Sequence, residues 1–306
     1  MKIHFIYNPR SGPRRRNSNL LSLLRDFIAG QSDARLLVTD GPGHATDLAR
    51  EAVAAGCERV VAVGGDGTMN EVAQALVGGP VALALVPCGS GNGLARYLGI
   101  PGSPISALKL AGDARARISP IDTGAANGRL FVNLMGLGFD AEISRRFHTL
   151  SGRGLSGYVG AGYAAFYGQP NERCVITSGL DRLTVEILLI TVANSDQYGH
   201  GAIIAPGARV DDGMLDLVAV APVGLIRGSV LAARMFLGGI RHSSSIKRLR
   251  GARFVIERKA PGLIHTDGEC HSEGATVEIA VKPGSLRVVV PADAPLSPTK
   301  EASYAG

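Results

Sequence analysis

The chain has no tryptophan, and aromatic residues fill only 5% of its 306 positions. No aromatic-and-basic stacking motif and no recognition helix stands out, so nucleic acid is not expected as a partner. Cysteine is scarce. Cys57, Cys88, Cys174 and Cys270 are widely separated and no pair has metal-ligand or redox spacing, which reads as free thiols in a reducing compartment. Long apolar runs are missing too. One uncharged candidate, Gly154 to Asn171, holds five glycines and three tyrosines and is too polar to cross a bilayer. Met1 to Tyr7 begins a strand without a charged and then apolar leader, so no signal peptide is expected. The glycine turn at Gly64 to Thr68 is neither a Walker A loop nor a G-x-G-x-x-G fingerprint, so neither of the two commonest nucleotide signatures describes it. Acidic residues are absent from Leu217 through Ile256.

What is present points to a globular protein with an anionic partner. A length of 306 suggests two domains, and 45% hydrophobic against 19% charged residues supports a well-covered core. The 41 glycines imply many tight turns. A net charge of +6 and a pI near 9.3 favour phosphates or anionic lipid.

Strand-like runs at Ile3–Tyr7, Arg35–Thr39, Val60–Val63 and Val81–Val86 alternate with helical spacing over Leu20–Ile28, His44–Ala55 and Asn70–Leu76. Alternation this short predicts βαβ units and a mostly parallel sheet. Ligands then lie beyond the carboxyl ends of the strands, here Asn8 to Gly12, Thr39, Gly64 to Glu71 and Pro87 to Arg96. From about residue 120 the rhythm changes. Short β-rich runs at Ser119–Thr123, Arg129–Met135, Leu183–Ala193, Met214–Ala219, Arg253–Arg258, Thr276–Val281 and Leu286–Val290 predict an antiparallel sandwich or barrel. Two helical stretches, Asp140 to Tyr167 and Val223 to Ile240, interrupt it. The expected division is 1–122, 123–290 and a tail, 291–306, that is loose or returns to the first domain.

Five stretches could carry chemistry. Gly64-Gly65-Asp66-Gly67-Thr68 lies between a strand and a helix, where backbone N–H groups and the helix dipole favour a phosphate. Asp66 sits in the middle of that turn, which suggests a bridging cation or a catalytic duty. Gly89-Ser90-Gly91-Asn92 follows the next strand, and its glycines let backbone approach a ligand. His265-Thr266-Asp267-Gly268-Glu269 reads equally as an Asp-Gly hairpin turn and as a catalytic carboxylate pair. Asp211-Asp212-Gly213 reads first as a turn and otherwise as oxygen ligands for a hard cation. The acid-free span carries Arg227, Arg234, Arg241, Lys247, Arg248, Arg250 and Arg253 among apolar residues. It is either a solvated helix face or a surface for anionic lipid, where each basic residue adds about 1 kcal/mol.

Taken in order, Asn8-Pro9-Arg10-Ser11-Gly12, Gly64-Gly65-Asp66-Gly67-Thr68-Met69-Asn70-Glu71, Pro87-Cys88-Gly89-Ser90-Gly91-Asn92 and Asp267-Gly268-Glu269 resemble the diacylglycerol kinase catalytic-domain family. Gly136-Leu137-Gly138-Phe139-Asp140 and Asp211-Asp212-Gly213 extend the resemblance over nearly the whole chain. It implies an N-terminal α/β domain like that of NAD kinases and diacylglycerol kinases, a C-terminal antiparallel β-sandwich, and ATP with Mg2+ in the cleft. Asn8 to Gly12 would border the nucleotide and Thr39 would sit near the adenosine. Gly64 to Glu71 would hold the triphosphate and its magnesium, with Asp66 organising Mg–ATP, and Gly89, Ser90 and Asn92 would contact the nucleotide. Glu269 would be the general base, with Asp267 beside it. Asp212, with the carbonyls of Arg209 and Met214, would match a structural magnesium site.

The resemblance implies an ATP-dependent lipid kinase, cytoplasmic and peripheral to the inner face of the membrane, with Gly154 to Tyr167 and Val223 to Ile240 lining the acyl-chain entrance. A homodimer is one expected assembly. Many bacterial members carry Gly-Thr-x-Asn-Asp-Phe where this chain has Gly89-Ser90-Gly91-Asn92-Gly93-Leu94, a form closer to the sphingosine kinases. Diacylglycerol and a sphingoid base are therefore both candidate substrates. The rival readings are an NAD kinase-like enzyme with a soluble substrate and a non-catalytic lipid- or nucleotide-binding protein.

Overall fold

In the computed structural model the described residues are 1–12, 14–149, 172–238 and 243–296. The first half alternates as its periodicity predicts. β1 (Ile3–Tyr7), α1 (Arg14–Ala29), β2 (Ala34–Val38), α2 (His44–Ala54), β3 (Arg59–Gly64), α3 (Asp66–Leu76) and β4 (Ala82–Pro87) follow one another, then the short α4 (Gly93–Tyr97) and α5 (Pro104–Gly112). β1, β3 and β4 are buried throughout except at Pro87, which is why they read as unbroken apolar runs. They pair in parallel with β2 in the order β2-β1-β3-β4.

The second half is antiparallel. β7 (Leu134–Gly138), β10 (Leu189–Ala193), β13 (Leu215–Val220), β14 (Ile246–Gly251), β16 (Gly262–Thr266) and β17 (Glu269–Glu273) form a six-stranded sheet ordered β14-β13-β10-β7-β16-β17. It packs against a layer made by β5 (Arg117–Ala126), β8 (Glu172–Ser178), β15 (Arg253–Arg258) and β18 (Thr276–Val290), with β6 (Arg129–Phe131) and β9 (Asp181–Ile187) at its margins. Met135, Leu137, Ile190, Val192, Leu217 and Ile264 from one sheet meet Ile176, Phe254, Ile256, Val277 and Ile279 from the other. The result is an N-terminal α/β domain followed by an antiparallel sandwich, as expected. On the outer face of the six-stranded sheet lie α6 (Phe139–Thr149), α7 (Leu225–Phe236), β11 (Gln197–Gly199) and β12 (Ala202–Ile203).

Several expectations are corrected. The two runs Thr276–Val281 and Leu286–Val290 are one strand, β18, with an irregularity between Lys282 and Leu286. Pro283-Gly284 looks like a turn in sequence, and Gly284 does adopt φ 55°, but pairing with β5 resumes beyond it. β18 therefore crosses both halves. Val277 and Ile279 lie in the sandwich core, whereas Leu286, Val288, Val289 and Val290 lie in the α/β core and Val288 pairs with Leu83 of β4. Ala294 and Leu296 also lie in the α/β core. Arg129–Met135 divides into β6 and β7, and Leu183–Ala193 into β9 and β10. The helix expected over Asp140–Tyr167 is seen as α6, with 150–171 outside the described residues. The helix expected over Val223–Ile240 is α7, with 239–242 likewise outside.

Asp122 locks this junction. Its carboxylate, 3% exposed, accepts the N–H of Gly213 at 2.6 Å and of Gly284 at 2.7 Å, and its own N–H donates to the Val210 carbonyl at 2.6 Å. Asp122→Ala leaves two inward N–H groups without acceptors. It should lower unfolding stability by roughly 2–4 kcal/mol, read from the urea midpoint at unchanged m-value.

Candidate functional site

The carboxyl ends of β1, β2, β3 and β4 bring Asn8, Thr39, Gly64 and Gly89 to one edge. Asn8 turns the chain by accepting the Arg10 N–H on its own side-chain oxygen at 2.9 Å, and its amide donates to Thr68 Oγ1 at 2.9 Å. Ser11 Oγ lies 3.5 Å from the same hydroxyl and accepts the Gly65 N–H at 3.3 Å. Pro9 and Arg10 are exposed on the outer side of this loop, next to the half-buried Gly12. Thr39 is buried, and its N–H donates to the Tyr7 carbonyl at 2.9 Å.

The two glycine loops touch through backbone. A Cβ on Gly89 would stand 2.7 Å from the Gly65 Cα, and one on Gly65 would stand 3.2 Å from the Gly89 Cα. Glycine is required here by this approach, not by dihedral angle. Asn92 takes the left-handed conformation at φ 51° and donates its amide to the Gly89 carbonyl at 2.7 Å. Ser90, between the two, is exposed.

Asp66 is not in the middle of a turn: it opens α3, and its carboxylate turns toward the second loop. It accepts the N–H of Asn92 at 2.7 Å and of Gly93 at 2.9 Å, the first amides of α4. Burial raises its carboxyl above the usual range; the Asn92 N–H pulls it back, the Asp267 charge adds to the rise, and the Gly93 N–H opposes it. The rest of the motif faces inward. Thr68, Met69 and Asn70 are buried. Glu71, expected near the triphosphate, instead accepts the Ala45 N–H at 3.0 Å and caps α2. The loop edge is thus the backbone of Gly65 and Gly67, with Ser11, which holds the Gly65 N–H, and the exposed Ser90 beside it.

The hairpin between β16 and β17 comes in from the sandwich. Asp267 at φ 49° and Gly268 at φ 91° form its two-residue turn, with both central residues in the left-handed region as a tight hairpin requires. Asp267 Oδ1 accepts the N–H groups of Asn133 and Leu134 at 2.9 Å each; Oδ2 accepts the Val132 N–H at 2.7 Å and the Asn70 amide at 2.6 Å. Burial raises this carboxyl as well, against the pull of those bonds. Four donors make Asp267 an anchor between α3 and the sandwich. Two residues on, Glu269 is half-buried, and its Oε1 lies 4.0 Å from where a Cβ on Gly67 would stand.

Beneath the turn lies a network that joins His265 to Asp140, two residues from separate motifs of the sequence. His265 Nδ1 accepts the Gly268 N–H at 3.3 Å, and Nε2 lies 3.2 Å from Asp140 Oδ1. Asp140 is fully buried, accepts Thr191 Oγ1 at 2.6 Å, and is bonded by the Tyr198 hydroxyl. A Cβ on Gly136 would collide with Asp140 Oδ2 at 2.1 Å, so glycine there makes room for the carboxylate. Burial alone would raise the Asp140 carboxyl, but the His265 charge and the bonds from His265, Thr191 and Tyr198 outweigh it and hold it below the usual range. The motif Gly136 to Asp140 was the signal available in sequence.

Magnesium commonly binds through one or two carboxylates plus substrate phosphates. Asp66, which borders both loops, offers one such carboxylate, each of its oxygens accepting a single backbone N–H. The Asp212 site does not fit a cation. Asp212 Oδ1 accepts the Met214 N–H at 3.0 Å and its Oδ2 is paired with the Arg250 guanidinium, while Arg209 holds Asp211 through Nε at 3.1 Å and Nη2 at 3.0 Å. The Asp212 carboxylate is thus already neutralised by Arg250. No group of three His, Cys, Asp or Glu suited to a metal occurs among the described residues.

A family model described as the diacylglycerol kinase catalytic domain matches residues 2–126, and one described as a YegS C-terminal NAD kinase beta sandwich-like domain matches 133–290. A Pseudomonas aeruginosa protein named "Probable lipid kinase YegS-like" is 37% identical over 287 residues, covering 89% of this chain and 91% of the relative. A Pseudomonas putida protein of the same name is 32% identical over 290 residues, covering 93% and 95%. A crystal structure described as "a putative diacylglycerol kinase from Bacillus anthracis str. Sterne" superposes with a TM-score of 0.78 at 24% identity, over 95% of this chain and 97% of that one. At that identity the likeness shows the fold.

Two outcomes follow from the geometry. Gly89→Ala forces the loops apart, an overpacking cost of about 1–3 kcal/mol; calorimetry with ATP should show affinity reduced at least ~10-fold. The Asp140 carboxyl, held below 3.8, contributes stability that is full above that value and lost as pH falls through the lower folded value. Asp140→Asn should lower the melting temperature at neutral pH and flatten its decline as pH falls through and below the ordinary carboxylate range.

Proposed function

The chain belongs to the diacylglycerol kinase catalytic-domain family of lipid kinases, and we propose from this that it transfers the γ-phosphoryl group of ATP to the hydroxyl of a diacylglycerol-like lipid. The observation that carries the reading is the placement of Glu269 against Gly67, across from two glycine loops in backbone contact. The loops offer N–H groups and the α3 N-terminus to phosphate oxygens. The lipid hydroxyl approaches from the sandwich side. Its oxygen bonds to the γ-phosphorus as the bond to ADP breaks, and its proton passes to a Glu269 carboxylate oxygen. Asp66 would hold magnesium when it is bound with ATP, and the ion would neutralise charge on the phosphates.

Asp267 and the Asp140–His265 pair act on this reaction by holding the turn; neither touches substrate in this reading. Asp66 fixes the second loop relative to the first, so its effect on nucleotide binding is positional as well as electrostatic. Among the described residues no helix is long and apolar enough to cross a membrane. Because the proposed substrate is a lipid, we place the enzyme at the inner membrane surface, where it would meet that lipid from the cytoplasmic side. The Gly89-Ser90-Gly91-Asn92 sequence favours a sphingoid base as the second candidate substrate.

Transfer of radiolabelled phosphate from ATP to a panel of diacylglycerols, sphingoid bases, ceramide and NAD, with products separated by chromatography, tests the reading. Label in a diacylglycerol supports it; label in NAD alone, or in nothing, sinks it. Glu269→Gln should reduce turnover by roughly 10²–10⁴ while leaving ATP affinity within about twofold. Full activity in that variant would remove Glu269 as the base.

A further inference from the structure

α7 uses little of its surface for packing. None of its residues is fully buried. Leu231 and Met235 rest on the outer face of the six-stranded sheet, against the cluster that includes Leu134, Val218 and Val220. The opposite side is apolar as well. Ile226 and Leu237 are each 82% exposed and Val230 47% exposed. Their spacing places all three on one stripe. Arg227 and Arg234, both exposed, run along its edge. No carboxylate occurs on the helix or anywhere from Leu217 to Ile256.

An aqueous surface does not account for this arrangement, because a helix with solvent on that side needs polar residues there. A second copy of the same face is disfavoured by charge. Two-fold pairing would set Arg227 and Arg234 beside their own copies with no acid between them. An apolar stripe edged only by guanidinium groups matches the interface of an anionic bilayer. We propose that α7 docks the protein on an anionic membrane surface, with its axis in the membrane plane and Ile226, Val230 and Leu237 inserted below the headgroups. The arginines reach the lipid phosphates, and their aliphatic stems extend the apolar contact. The proposal deepens the lipid-kinase reading and rests on it for the reason a bilayer is approached at all.

The test is co-sedimentation of the full chain with phosphatidylglycerol–phosphatidylcholine vesicles and with phosphatidylcholine alone. The wild-type protein should partition to the anionic vesicles and weaken with added salt. The double variant Ile226→Glu with Leu237→Glu should lose at least ~10-fold in partition coefficient. Its melting temperature and its ATP affinity should stay unchanged. A variant that sediments like wild type overturns the proposal. So does lipid-free sedimentation velocity in which the wild type is a dimer and the variant a monomer, since a second copy then covers the face. Vesicle binding that depends on Ile226 and Leu237, with no phosphate transferred to any lipid, upholds the docking surface and defeats the kinase reading instead.

Discussion

The Asp267 carboxylate is the contact on which the site depends. It is an anion held largely away from water, which is unfavourable unless hydrogen bonds replace the lost solvation. Here four donors do so, three backbone amides from Val132 to Leu134 and the Asn70 side chain. Asn70 lies on α3, one turn beyond the first glycine loop, and the three amides lead from β6 into β7. A single side chain therefore sets the sandwich against the α/β domain at the place where the loops open. Since the hairpin turn has only two central residues, fixing Asp267 also fixes where Glu269 can stand. His265 and Asp140 support the same turn from below through the Gly268 amide. Asp66 repeats the device within the first domain by tying the two loops to each other.

The architecture was legible in the sequence where it is local. β-strand runs, helical spacing and glycine turns each act within a dozen residues, and the first half of the chain is built that way. The positions of the two glycine loops followed from strand order alone. What was not legible is long-range satisfaction of polar groups. Thr68 and Glu71 look like ligand contacts in a phosphate motif, yet each has a partner in the protein that sequence spacing cannot show. Thr68 meets Asn8, and Glu71 caps α2. Asp122 carries no motif at all; its function comes from Gly213 and Gly284, which are distant in sequence. The same limit explains β18. Pro283-Gly284 has the chemistry of a turn, and only pairing with β5 on both sides of it keeps the strand in one piece.

The Asp212 corner shows how a resemblance can hold while one feature of it changes. The Asp211-Asp212-Gly213 sequence is there, and Asp212 keeps its place beside Met214. Arg250 on β14 supplies the positive charge from the neighbouring strand. A guanidinium is planar and offers several donors, so it can neutralise Asp212 without a coordination shell. The motif therefore specifies a need for positive charge at this corner; it does not specify that a metal meets it.

The same accounting bears on the surface. Asp66, Asp122, Asp140 and Asp267 are drawn inward, where each accepts backbone or side-chain donors. Asp211, Asp212 and Asp216 are paired with arginines. Each paired carboxylate cancels its arginine, so the net charge of +6 is carried by the unpaired basic residues. The excess is also uneven, because no acid lies between Leu217 and Ile256 to offset Arg227 and Arg234. An uneven positive field orients as well as attracts. A protein approaching an anionic surface would turn α7 toward it. The acids that build the interior and the arginines that face outward are thus two parts of one charge distribution.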